Sequence, residues 1–126
     1  MQKYVDGFIL VIPKDKVEAY IEMAKGGRDS WMKHGALSYF ECRGDDLAPK
    51  EMGDLKTRAF IEMAGATEND TVWFSFITYN SKAHRDEVNA KVEAEMSEQM
   101  VGHENDPMPF DMKRMATGGF LVEVEG

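Results

Sequence analysis

Two stretches of this chain are apolar on both of the faces that a β-strand can present. Residues Tyr4 to Ile12 read YVDGFILVI, and Thr71 to Tyr79 read TVWFSFITY. Successive strand residues point to opposite sides, so Phe8, Leu10 and Ile12 share one side of the first strand and Ile9 and Val11 the other. In the second strand Val72, Phe74 and Phe76 oppose Trp73 and Ile77. An open antiparallel sheet with one wet face shows clean alternation of apolar and polar residues. These strands do not, so the sheet they build must be covered twice.

What can cover it follows from the segments between and after the strands. Pro13 ends the first run, because a proline cannot continue a central ladder. From Lys14 to His34 the period changes: Val17, Tyr20, Ile21, Ala24, Arg28 and Trp31 recur at steps of three and four, which predicts a helix with one inward stripe. Gly26 and Gly27 interrupt it and call for a kink or a close approach there. His34 and Gly35 form the expected stop, with a cation in the last turn and a glycine able to turn left-handed. Ala36 to Gly44 reads as a second strand, and residues 47 to 69 as a long connection with a short strand or helical turn at Arg58 to Ala64. Lys82 to Met100 predicts a helix after Asn80 and Ser81, its stripe being His84, Val88, Val92 and Met96. Pro107 and Pro109 break the segment from Gly102 to Arg114 into a loop, and Phe120 to Val124 supplies the last strand.

The order is β-α-β-β-α-β, an α+β ferredoxin-like arrangement: a four-stranded antiparallel sheet with two helices on one face. Two helices cover one face only. A second copy, packed sheet to sheet in a homodimer, covers the other and makes a dimeric α+β barrel. The alternative is that the two long connections fold back over the open face. The 126 residues suit one domain spanning 1–126. The net charge of -8 argues against a nucleic-acid partner, whose phosphates need a basic stripe. The single Cys42 excludes an internal disulfide and is expected to be a small buried apolar side chain. The start MQKYVDGF has neither the basic nor the apolar region of a signal peptide, so a cytoplasmic protein without a membrane partner is expected.

Several polar residues are candidates for chemistry. His84-Arg85-Asp86 opens the second helix, where free backbone N–H groups favour an anion; His84 there could serve as acid, base or ligand, with Arg85 holding a carboxylate or phosphate. The plainer reading of the same residues is helix capping and packing beside Val88. Glu41 stands among Tyr39, Phe40 and Cys42 in a strand and is expected to pair with His34 or Arg43, to act as a base, or to lie at a wet rim. Met108-Pro109-Phe110-Asp111 with Lys113 and Arg114, beside Gly118-Gly119, offers a proline-stiffened loop with an aromatic, an acid and two bases, or a packed lid over the barrel edge. Trp73 joins Phe110, Asp111, Arg85 and Arg114 as a ligand-binding candidate, though an aromatic run is more often core. His34, His84 and His103 are the weak metal candidates; no HExxH or CxxC spacing is present, so no metal or other cofactor is assigned.

The stretches YVDGF with its following proline, HGALSYFEC with GDD, FSFITYNSKAHRDEVNAKV, and MPFDMKR with GGF resemble the bacterial YbaA-like family, a group of unknown function, over Tyr4 to Phe120. The resemblance implies a dimeric α+β barrel, a superfamily that also holds monooxygenases, haem-degrading enzymes, isomerases and stress-responsive barrels. It carries over no catalytic residue, because one fold hosts many chemistries. Three classes stand: a homodimer binding a small organic molecule or ion between helices and sheet near His84 and Arg114; a non-enzymatic stress or interaction protein without a pocket; and a cofactor-poor monooxygenase or isomerase using His84 or Glu41 with Arg85 or Arg114.

Overall fold

The computed structural model describes residues 2–126. The first apolar run forms β1 (Tyr4–Pro13), and a 3-10 turn at Lys14–Lys16 leads into α1 (Val17–Lys33). The helix stops as its sequence demands: His34 N–H donates to the Ser30 carbonyl, Ala36 N–H to the Trp31 carbonyl, and Gly35 takes φ +112°, a left-handed value that suits only glycine without strain. Next come β2 (Ser38–Arg43), a small hairpin of β3 (Glu51–Met52) and β4 (Leu55–Lys56), and α2 (Phe60–Ala64). The second apolar run is β5 (Asp70–Tyr79), followed by α3 (Lys82–Gln99), a 3-10 turn at Met112–Arg114 and β6 (Ala116–Leu121). Ser81 caps α3 by accepting from the His84 N–H at 3.1 Å.

The main sheet has the order β2-β5-β1-β6, antiparallel throughout, with the two two-sided strands at its centre. Their register runs from Tyr4 opposite Tyr79 to Pro13 opposite Asp70. Beneath α1 and α3, Tyr4, Leu10, Ile12, Trp73, Ile77 and Tyr79 are buried with Tyr20, Val88 and Val92. This is the ferredoxin-like α+β fold that the element order predicts.

The other face is covered in part. Val11 and Val72 are buried at the end where α2 packs on β1 and β5, so the long connection does fold back over one end. The rest is open: Phe40 is 50%, Phe74 49% and Phe120 61% exposed, with Phe40 stacked on Phe76 at 5.0 Å between ring centres.

Three local expectations are corrected, and of the two offered for Gly26 and Gly27 the close approach is met. The last strand begins at Ala116 rather than Phe120, because Gly118 and Gly119 lie within the ladder, opposite Gly7 and Asp6, instead of forming a turn before it. Gly119 is needed there: a β-carbon would come within 2.6 Å of the Tyr4 ring, which is buried. Arg28 is exposed rather than inward, since Ala24, Gly27 and Trp31 form the stripe over the sheet and Arg28 lies one step round the helix. The helix runs through both glycines, and Gly27 serves close approach: its missing side chain leaves room for the Tyr39 hydroxyl, 3.0 Å from where a β-carbon would stand. Cys42 is exposed, because β2 alternates Tyr39, Glu41 and Arg43 under the helices with Phe40 and Cys42 on the open face.

Adjacent glycines should therefore respond differently to a methyl group. Gly119→Ala is expected to destabilise the protein by about 1–3 kcal/mol through overpacking against Tyr4. Gly118→Ala, whose β-carbon meets only a Phe120 ring carbon at 3.8 Å, should stay within about 0.5 kcal/mol of the parent. Urea midpoints of the two variants measure the contrast.

Candidate functional site

Helix α1 crosses the sheet above β2 and β5, and in that space the chain places a carboxylate among hydroxyls. Glu41 on β2 stands opposite Ser75 on β5. Its Oε2 accepts from the Tyr20 hydroxyl at 2.7 Å and from the Ser75 hydroxyl, and its Oε1 accepts from the Tyr39 hydroxyl at 2.8 Å. Three donors from three elements thus converge on one carboxylate. Burial, followed by the adjacent Glu41 charge and hydrogen bond, pushes the Tyr20 and Tyr39 hydroxyls far above the ordinary tyrosine range, so both remain donors. Tyr20 is held by edge-to-face contacts with Trp73 at 5.1 Å and Phe110 at 5.5 Å. The Trp73 indole donates to Thr71 Oγ1 at 2.8 Å, and Thr71 donates to the Ile12 carbonyl, which ties this wall to the sheet.

Glu41 and its partners form the polar end of an apolar cavity of about 470 Å³ between α1, the C-terminal end of α3 and the loop before β6. Its walls are Phe8, Leu10, Trp31, Ile77 and Phe110, and six of the ten methionines: Met23, Met96, Met100, Met108, Met112 and Met115. The two prolines of the loop prevent a helix there, and the loop instead brings Met108 and Phe110 over α1. Thioether side chains are flexible and polarisable, so they make a wall that adapts to varied apolar shapes. On the other side of Tyr39 a more open hollow of about 410 Å³ is rimmed by Lys25, Arg28 and Arg43.

A more deeply buried carboxylate than the half-buried Glu41, Asp6 on β1, went unremarked in the sequence. It is 5% exposed, accepts from Arg85 Nη1 at 3.0 Å and from Asn89 Nδ2 at 3.4 Å, and so is neutralised by a cation. Asn89 Oδ1 in turn accepts from the Trp31 indole and the Tyr79 hydroxyl. The signal was present in YVDGF: a lone aspartate on the inward side of a central strand needs a buried partner. Tyr20 and Ser75 were also overlooked as site residues, since a tyrosine in a helical stripe and a serine in a strand read as ordinary core.

The other candidates fall elsewhere. His84 lies at the start of α3, its Nδ1 accepting from the Asn80 N–H at 3.0 Å and its ring edge-to-face with Tyr79. Tyr79 is four residues beyond Ser75, roughly 13 Å along the strand, so His84 and Glu41 do not share a site. Arg85 serves Asp6 and lies over the Tyr4 ring. Arg114 grips Asp70 at 2.7 Å and the Gly65 carbonyl at 3.2 Å, at the opposite end of β5. Asp111 caps the turn before β6 by accepting from the Lys113 N–H. His34 Nε2 meets Glu95 at 2.9 Å and His103 meets Asp106 at 3.0 Å. Glu41 pairs with neither His34 nor Arg43, because the two tyrosines and Ser75 reach it first. Among the described residues no three His, Cys, Asp or Glu side chains converge as metal ligands do.

The Asp70–Arg114 pair makes a pH prediction. The guanidinium hydrogen bond, with help from Thr67, holds the Asp70 carboxyl at about 2. A carboxyl depressed in the folded state stabilises it above the unfolded pKa and loses that contribution as pH falls through the folded value. Asp70→Asn should therefore be less stable than the parent at neutral pH, with the gap closing between about pH 4 and pH 2. Denaturant midpoints across that range check the sign.

The model of a family described as "Protein of unknown function (DUF1428)" matches residues 3–112. Proteins named "Uncharacterized protein YbaA" from Escherichia coli strain K12 and from Shigella flexneri are 42% identical over 118 residues, which is 94% of this chain and 94% of each relative. A solved structure of a dimeric ferredoxin-like protein from an uncultured marine organism is similar at TM-score 0.54 and 11% identity, over 100% of both chains. At that identity the likeness is one of fold.

Proposed function

The chain belongs to the DUF1428 family of unknown function, and from its geometry we propose that it acts as a homodimer binding a small, mainly apolar organic molecule between helices and sheet. The cavity of about 470 Å³ that ends at Glu41 carries this reading. Its volume is in the range of small-molecule sites, about 300–1,000 Å³, and its apolar walls with a few convergent polar groups have the usual composition of such sites. Trp73 and Phe110 take part by holding Tyr20, while Phe110 also lines the space. His84, Arg85, Asp111 and Arg114 hold the frame around it. The catalytic reading, with His84 or Glu41 as acid-base group and Arg85 or Arg114 stabilising negative charge, is the less favoured one, because Arg85 is bound to Asp6 and Arg114 to Asp70.

The homodimer rests on the open face. Phe40, Phe74, Phe76 and Phe120 form an aromatic surface on a sheet whose other side is already packed, and exposed patches of this kind mark association sites. A second copy supplies a surface of the same shape and chemistry, and closed two-fold pairs are the commonest assembly. The fold relative described as dimeric supports the same reading. A cytoplasmic setting agrees with Cys42, a free thiol on that face, which stays reduced there. No helix among the described residues is long and apolar enough to cross a membrane.

Two experiments test these readings. Sedimentation at micromolar concentration should give the mass of two chains, and Phe74→Lys should shift it to one; a parent that sediments as one chain removes the dimer. Nile red, a neutral dye, should bind saturably with enhanced fluorescence, and Phe110→Ala should weaken it about tenfold by removing an aromatic wall. An absence of saturable binding to the parent removes the ligand site.

A further inference from the structure

Two carboxylates lie under the helices, and they differ in one respect. Asp6 is paired with Arg85 at 3.0 Å. Glu41 has three hydroxyl donors and no ion pair to a Lys, Arg or His among the described residues. The cations on the hollow beyond Tyr39 do not reach it: Lys25 is bound to Glu22 at 3.0 Å and Arg28 to Asp29 at 2.9 Å, and Arg43, two residues along β2, makes no ion pair with Glu41 among the described residues. The cavity itself is lined by no Lys, Arg or His, so Glu41 is the one formal charge on its walls. Carboxylates withdrawn from water are ordinarily paired with a cation as well as hydrogen-bonded. Here the hydrogen bonds are supplied and the counter-charge is missing.

We propose that the ligand supplies it: the cavity selects an organic cation, a protonated amine on an apolar body, with the ammonium at Glu41. The inference rests on the cavity being a ligand site and adds the sign of the charge. Three features support it. The hydroxyls of Tyr20, Tyr39 and Ser75 hold the carboxylate in place, so an incoming N–H finds an oriented partner at little ordering cost. The rings of Tyr20, Tyr39 and Trp31 line the same space, and aromatic rings attract cations. An anion entering this space meets a like charge in surroundings that screen it weakly. The remaining wall, apolar and rich in methionine, takes the body of the molecule.

Displacement of bound Nile red by naphthylmethylamine, naphthylmethanol and naphthoate tests the proposal, the three differing in charge on one aromatic body. The amine is expected to displace the dye at concentrations at least about tenfold below those of the alcohol and the naphthoate. In Glu41→Gln that advantage should vanish while Nile red still binds. An amine no better than the naphthoate in the parent overturns the proposal whether or not the variant folds, and so does an advantage that survives Glu41→Gln. Tyr39→Phe, which keeps the carboxylate, should keep the preference. Nile red binding with no preference for the amine defeats the charge assignment alone; failure of Nile red to bind the parent defeats the ligand site beneath it.

Discussion

The pairing of β1 with β5 is the constraint on which the rest of the structure depends. Both strands are apolar on both sides, and their ten-residue register fixes which side chains share a face. One face takes the two helices. On it the register sets Asp6 opposite Ile77 and, through β2, Glu41 opposite Ser75. The other face gathers Phe74 and Phe76 with Phe40 from the neighbouring strand. A slip of one residue would turn one strand over against the other, so that either Asp6 or the phenylalanines together with Glu41 would change face. The site and the exposed aromatic surface therefore have one origin.

Within the helix-covered face the energetics divide sharply along the sheet. At the β6 end the Asp6 carboxylate is neutralised by Arg85 and tied through Asn89 to Trp31 and Tyr79. At the β2 end the Glu41 carboxylate has donors but no counter-charge, and space remains above it. Removing water from a charge is costly, by several kcal/mol even after relaxation. The first arrangement offsets that cost internally, as a structural ion pair does. The second leaves it partly unmet, as binding sites do.

Much of this was legible in the chain. The fold class followed from the change of period between strand-like and helix-like runs, because period 2 and period 3.6 are distinct patterns of burial. The helix stop at His34 and Gly35 and the start after Ser81 followed from the capping chemistry of those residues. The misread places have a common cause. Gly118 and Gly119 look like a turn unless Tyr4 is known to lie across them. Cys42 looks like core unless the face it shares with Phe40 and Phe74 is known to lie away from the helices. Arg28 looks inward until the helix is set on the sheet by Gly27 and Tyr39. Glu41 was recognised as an unusual carboxylate in an aromatic strand, but its partners come from α1 and β5, and spacing along the chain carries no trace of them.

Local pattern and composition set the four main strands and two long helices, their order, the two-sided sheet and the acidic balance. The sequence also marked the methionines and the proline-stiffened loop without showing that they meet. Tertiary structure decided which polar groups converge: Tyr20, Tyr39 and Ser75 on Glu41, Arg85 and Asn89 on Asp6, Arg114 on Asp70. It also decided that His84 and Arg114 lie at opposite ends of β5, and that six methionines close on one cavity. The physical reason is range. Backbone period and capping act within a few residues, whereas hydrogen bonds and charge pairs between strands and helices depend on where packing brings side chains from distant parts of the chain.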